Sequence, residues 1–375
     1  MSSTLKIFGK VALLLLLGET NAFDFKTVNR TIASDGKCRA LAMRGGGTKG
    51  AYEVGVLNGF KDHMSAPIDY AYDVTVGVSI GAINSASLAV YPIGDEKEAL
   101  EELTKRWLAN PMYDLLEQWP ILSFVETLWR PSAFNNEGLR KLISEQVDGR
   151  SFMRGVAMQA VDLNTGEVVI FDEETPKEKL VDAIMSSASI PVAFPPIMMD
   201  DKVLVDGGAF SDLDLSEAVM KCRDFGFDDE DIIVDILMCF NNVVELKQYT
   251  MAESKYLNAY ELYQRTAELR GFYGSYEDVT RVVRGFPRVT FRHLVAPSED
   301  LEADFFTDGP EKVQEMMDKG YRDAGKTLEA YYDKLCEEEI KDKSKCWKVR
   351  IDKEGKVTSY LGLREGDKGY VEPSD

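Results

Sequence analysis

Two stretches decide the fold. Cys38-Arg39-Ala40-Leu41-Ala42-Met43 runs into Arg44-Gly45-Gly46-Gly47-Thr48-Lys49-Gly50, and Asp73-Val74-Thr75-Val76-Gly77-Val78 runs into Ser79-Ile80-Gly81-Ala82-Ile83-Asn84-Ser85-Ala86. In each, a short β-rich run stops at glycines and gives way to a helix-compatible segment. After the first turn Ala51, Val54, Leu57 and Phe60 recur at helical spacing, which puts one apolar face on a helix. Together they read as a βαβ unit plus the next helix.

Working outward, Val156 to Val161 and Val168 to Phe171, joined through Asn164-Thr165-Gly166, predict a hairpin. Helices are expected around 95–109, 136–147, 177–187, 246–270 and 310–335, and strands at 202–205, 232–238 and 288–295. Strands alternating with helices predict an α/β fold, a three-layer α/β/α arrangement around a mostly parallel central sheet. Trp119, Pro120, Trp129 and Pro131 mark an insertion over the core, read equally as a lid or as an ordinary packed loop with aromatic anchors. Residues 336–375 are charged and weakly periodic and read as a solvated C-terminal appendage.

Composition narrows the function. The 375 residues are 45% hydrophobic, enough for a sizeable core, and 44 Lys+Arg against 64 Asp+Glu give a net charge of −20. That is the wrong sign for a surface that neutralises phosphates, so nucleic acid is not an expected partner. With only His63 and His293, five cysteines and no Cys-x-x-Cys pair, the chain lacks the ligand supply of a structural zinc site; no metal and no organic cofactor are expected.

The first 22 residues read as a signal peptide: Lys6 and Lys10 precede the apolar run Val11 to Leu17, and Thr20-Asn21-Ala22 offers small residues before a cut. The run is too short to span a bilayer. The body would then be residues 23–335, secreted or held in an endomembrane lumen. There, Asn29-Arg30-Thr31 becomes a glycosylation acceptor and disulfides become possible among Cys38, Cys222, Cys239, Cys336 and Cys346. Cys336 with Cys346 is the first pairing expected.

Gly77-Val78-Ser79-Ile80-Gly81 is a Gly-x-Ser-x-Gly box, whose flanking glycines allow a sharp strand-to-helix turn that lifts a serine oxygen out of the sheet. Its bland reading is a tight turn with a solvent-facing serine. Gly45-Gly46-Gly47-Thr48-Lys49-Gly50 fits a dinucleotide fingerprint, with Asp69 or Asp73 near the distance of a ribose-binding acid; it fits equally a loop whose N–H groups stabilise an oxyanion. Ala51 stands where a Walker loop has its lysine. Lys49 reads as an aid to that loop or as a surface charge. Asp206-Gly207-Gly208 follows Val203-Leu204-Val205, a position from which a carboxylate can project at the end of a sheet or simply make a turn.

The glycine loop, the Gly-x-Ser-x-Gly box and the Asp-Gly-Gly strand end, in this order, resemble the patatin-like phospholipase family. Ser186-Ser187-Ala188-Ser189-Ile190-Pro191-Val192-Ala193-Phe194-Pro195-Pro196 is similar to the family's Ser/Ala-rich block leading into an aromatic-Pro pair. The resemblance covers about residues 38–215. It implies a patatin-like fold and a serine–aspartate dyad: Ser79 attacks an ester carbonyl, Asp206 takes its proton, and the N–H groups of Gly45, Gly46 and Gly47 hold the oxyanion. After Asp-Gly-Gly the family commonly has Asn and then Pro, where this chain has Asp212 and Asp214.

A dyad makes a physical demand: free aspartate titrates near 4, a useful general base nearer 7, so Asp206 must be buried. The competing enzyme is an α/β-hydrolase with a Ser79-Asp206-His293 triad, although His293, in Phe291-Arg292-His293-Leu294, reads more simply as a core or strand-edge histidine. A catalytically silent lipid-binding relative is the non-enzymatic alternative. The reading that results is a lipid acyl hydrolase of phospholipase A or lysophospholipase type, meeting phospholipid or other ester lipids at a membrane or aggregate through apolar residues, around Trp119 to Trp129 among others.

Overall fold

The computed structural model describes residues 30–111, 131–147, 149–240, 259–303 and 308–338, with short pieces at 25, 28, 115, 117–118, 348–351 and 357–361. Residues 1–22, the segment from Trp119 to Trp129 and most of the charged tail, with the expectations placed on them, lie outside the described residues.

Among the described residues the central sheet has eight strands: β1 (Cys38–Met43), β2 (Val74–Val78), β3 (Gly155–Asp162), β4 (Val168–Asp172), β5 (Ile197–Met199), β6 (Lys202–Asp206), β7 (Ile232–Leu237) and β8 (Thr290–Val295). Its order is β8-β7-β1-β2-β3-β6-β5, with β4 also on β3. From β8 to β3 every neighbour is parallel. Beyond β3 the sheet turns antiparallel. It is therefore the mixed, mostly parallel sheet that the sequence predicts.

Helices cover both faces, so the central strands are buried along their whole length. Leu41 and Met43 point into one core with α1 (Gly50–His63), α2 (Ile80–Ala89), α3 (Glu96–Ala109), α4 (Glu137–Val147), α5 (Leu180–Ser187) and α8 (Pro310–Glu338). Cys38, Ala40 and Ala42 point the other way, against α6 (Leu215–Asp224) and the end of α7 (Ala259–Gly285). This period of two across β1 makes three layers from one strand. α2 is buried on all sides, which its run of Gly, Ala, Ser and Ile permits.

Several expectations need correction. The helix expected over 246–270 is described from Ala259 and continues to Gly285. Two internal glycines suggest a stop, but Val279 and Val282 keep packing on the second core and outweigh their poor helix propensity. α6 and β5 are additions to the expected elements, and within the tail Lys348–Ile351 and Val357–Leu361 form an antiparallel hairpin. Cys38 bonds Cys222, tying β1 to α6 across 184 residues. Both side chains face the second core, a proximity that sequence spacing does not reveal. The expected partners Cys336 and Cys346 lie where side chains are not described.

Candidate active site

The site arises from how two strands share one edge of β3. β2 runs parallel to β3 and ends with Val78 opposite Gln159. β6 descends antiparallel along the same edge, which β2 has vacated, and ends with Asp206 opposite Ala160. The two C-terminal ends thus meet one residue apart along β3, bringing Ser79 against Asp206.

Ser79 sits at φ 56°, a strained value for a residue with a side chain, at the start of α2. The turn needs its flanking glycines. A Cβ on Gly77 would lie 2.1 Å from the Gly81 carbonyl oxygen, and one on Gly81 would lie 2.4 Å from that of Met43. The Ser79 N–H is held by Ser187 Oγ at 3.1 Å.

Asp206 is 4% exposed. Its Oδ1 accepts the Gly208 N–H at 2.7 Å, and its own N–H donates to the Ser189 carbonyl at 3.0 Å. Oδ2 is buried without a hydrogen bond of regular geometry, while the Ser79 hydroxyl interacts with the carboxylate. Burial pushes the pKa of Asp206 up to about 7; the Ser79 hydroxyl and the Gly208 N–H pull it down, and the Asp212 charge pushes it up. Gln159 Nε2 fixes the loop behind Asp206 by donating to the carbonyls of Gly207 and Ser211 at 3.0 and 3.1 Å.

The glycine loop lines the same cleft, an open space of about 430 Å³ that holds Ser79 and Asp206. Its three amides differ. The Gly45 N–H is committed to the Asp212 carbonyl at 2.8 Å, which removes it from the expected oxyanion set. The N–H groups of Gly46 and Gly47 make no hydrogen bond among the described residues. Lys49 does not reach into the loop: its Nζ lies over the Phe240 ring, 3.9 Å from the centroid, and Arg44 stacks on Phe240 as well.

The two aspartates that depart from the family pattern have defined places. Asp212 pairs with the buried Arg44 at 2.8 Å, and Asp214 caps α6 through the Glu217 N–H.

Two alternatives fail on position. His293 lies on β8, three strands from β2 and thus about 14 Å to the side. In register it stands level with Thr75, four residues short of Ser79. It packs against Phe60 and Tyr331, and burial pushes its pKa down to about 4. It is a core histidine. The dinucleotide reading fails because Asp73 lies at the opposite end of the sheet from the glycine loop, beside Arg39, and is engaged by the Arg39 N–H and by Arg30. Asp69 lies near the same end, close to Arg39 and Arg292.

Ser187, Gln159, Arg44 and Phe240 have no individual role that the sequence alone discloses. Gln159 carries a visible signal, as a lone amide in the otherwise apolar run of β3. Phe240 carries none, because it follows β7 and meets the loop only in three dimensions.

A central sheet between two layers of helices, with Ser79 at a strand-to-helix turn against the buried Asp206, defines the class: a three-layer α/β protein. Residues 41–219 match the family model of patatin-like phospholipases. The chain is 28% identical over 181 residues to a cGAMP-activated phospholipase of Pseudomonas aeruginosa, covering 45% of this chain and 51% of that protein. It is 39% identical over 67 residues to a cUMP-AMP-activated phospholipase of Escherichia coli, covering 18% of this chain and 21% of that protein. The chain therefore spans about half the length of the first relative and a fifth of the second. Among solved structures, VipD from Legionella pneumophila matches with a TM-score of 0.41 and 13% identity, over 81% of this chain and 70% of that one.

Proposed function

We propose that the protein is a lipid acyl hydrolase that cleaves carboxylic esters of phospholipids or lysophospholipids through a Ser79–Asp206 dyad, without a metal or organic cofactor. Asp206 takes the proton of Ser79 Oγ as that oxygen bonds to the ester carbonyl carbon, and the oxyanion forms beside the N–H groups of Gly46 and Gly47. Collapse of the tetrahedral intermediate breaks the bond to the alkoxide, which leaves with the proton from Asp206. Water then attacks the acyl-serine, Asp206 accepting its proton and passing it to Ser79 Oγ as the acyl–oxygen bond breaks and the fatty acid departs. The observation that carries this reading is the buried Asp206 carboxylate facing Ser79, raised to the range of a working base.

The substrate is met at a lipid surface. Val192, beside Pro191 of the cleft wall, and Phe210, four residues after Asp206, are 73% and 69% exposed and suit apolar contact. With a net charge of −20, docking to anionic bilayers is not electrostatic, so added salt leaves binding to anionic vesicles unchanged or improves it. Secretion or residence in an endomembrane lumen is supported by the N-terminal leader pattern and by the Cys38–Cys222 disulfide, which needs an oxidising compartment.

The test is fatty-acid release from phosphatidylcholine and lysophosphatidylcholine in mixed micelles by the wild type, Ser79→Ala and Asp206→Asn. The proposal expects turnover in the wild type and loss of several orders of magnitude in both variants. Full activity in Asp206→Asn removes the dyad.

A further inference from the structure

The loop that carries Asp206 has a second groove on its far side, about 520 Å³, walled by Gly208 to Asp212 and by one face of α7. Gly208, Ala209 and Asp212 line both this groove and the cleft of Ser79, so the two spaces lie against a single shared loop. We propose that this groove is the head-group site for a zwitterionic phosphate ester, the polar end of a lipid whose acyl ester lies at Ser79. The inference rests on the lipid hydrolase reading and adds the substrate's head-group class to it.

The groove is held in fixed register with the cleft by one buried side chain. The Arg44 guanidinium donates to Gly45 O at 2.8 Å on the glycine loop, to Asp212 Oδ2 at 2.8 Å on the Asp206 loop, and to Gly271 O and Ser275 Oγ at 3.2 and 2.7 Å on α7. A ligand in the groove thus lies at a set distance from Ser79.

The charges of the groove fit a zwitterion. Asp212 is paired with Arg44, and Asp278 with Arg281. This leaves Arg270 and Glu277, both exposed and neither in an ion pair among the described residues. They stand seven residues apart on one helix face, two turns or about 10.5 Å along the axis, within converging reach of two long side chains. One cation and one anion answer the phosphodiester and the amine of a choline- or ethanolamine-type head group. A head group with net negative charge meets Glu277 and the acidic surroundings instead.

Gly274 adds an observation of its own. Glycine is a poor helix former, yet it stands inside α7 where an added Cβ would meet none of the described residues within 4 Å. No contact among the described residues requires it. Its missing side chain leaves the groove wider.

The test uses the full chain with phosphatidylcholine, phosphatidylglycerol and p-nitrophenyl butyrate, which has no head group. Gly274→Leu, a plug into open space, and Arg270→Glu are each expected to lower the ratio of kcat/KM for phosphatidylcholine over p-nitrophenyl butyrate at least tenfold. Glu277→Lys is expected to shift preference toward phosphatidylglycerol at least fivefold. Unchanged ratios in these variants overturn the proposal. Binding of glycerophosphocholine to Ser79→Ala, followed by titration calorimetry, needs no turnover and separates the two claims. Saturable binding that is lost in Ser79→Ala/Gly274→Leu upholds the groove even if the wild type hydrolyses nothing; absence of binding overturns it. Inorganic phosphate competing as well as glycerophosphocholine would mark a simple anion site and overturn it too.

Discussion

Ser187 Oγ accepts the backbone N–H of Ser79 at 3.1 Å. Two residues further on, the Ser189 carbonyl accepts the N–H of Asp206 at 3.0 Å. One short stretch at the end of α5 therefore holds the backbone of both members of the proposed dyad. This explains the composition of the Ser/Ala-rich block, because small side chains let the chain pass close to both strand ends and a hydroxyl stabilises the strained elbow.

Removing that hydroxyl leaves a buried N–H unpaired, which costs about 1–3 kcal/mol and loosens the turn. Ser187→Ala is expected to keep the fold by circular dichroism, to lower kcat about tenfold or more, and to change KM less than twofold. A proportional rise in KM with kcat intact would point to substrate binding and not to the geometry of Ser79.

In the proposed dyad, the ionisation of Asp206 sets the pH profile. Its working form is the carboxylate, and its pKa is raised to about 7, chiefly by burial. The rate should therefore be low in acid, rise through about pH 7 and level off above it. Asp212→Asn removes a neighbouring negative charge that helps raise this value, so the inflection should move to lower pH; an upward shift contradicts the assignment. The same raised pKa has a stability cost. The contribution of this carboxyl to folding is fully present below the unfolded value of about 3.9 and is lost as pH rises through about 7.

His293 supplies a control. It is buried against Phe60 and Tyr331, and its backbone N–H is tied to Asp235. Replacement by Ala or Gln is expected to cost stability while leaving kcat of the folded protein within about threefold. A loss of several orders of magnitude, with the protein still folded, would restore a triad.

The Cys38–Cys222 disulfide closes a loop of 184 residues and is fully buried at both ends. A long loop restricts the unfolded chain strongly, so Cys38→Ala/Cys222→Ala should lose about 2–5 kcal/mol, measured as a lower midpoint in urea. Two free thiols titrated at these positions in unreduced, unfolded protein would show that the bond is absent.

The two strand–glycine–helix passages and the hairpin are legible in the sequence, because each rests on local periodicity and on residues the turn sterically requires. Gly77 and Gly81 are the clearest case, since any side chain there strikes backbone. What stays hidden depends on distant packing. The Gly45 amide leaves the oxyanion set only because Asp212, far away in the chain, occupies it. The extent of α7 escapes local spacing because its apolar residues pack on a second core that such spacing does not disclose. Cys222 pairs with Cys38 because α6 lies on β1, a contact that no local pattern announces.

The central claim is that Ser79 is an activated serine, and the most direct measurement is fluorophosphonate labelling of the folded protein with the modified peptide identified by mass spectrometry. The account predicts stoichiometric labelling at Ser79, absent in Ser79→Ala and at least a hundredfold slower in Asp206→Asn. Well-folded protein that takes no label, or takes it at another residue, would contradict it.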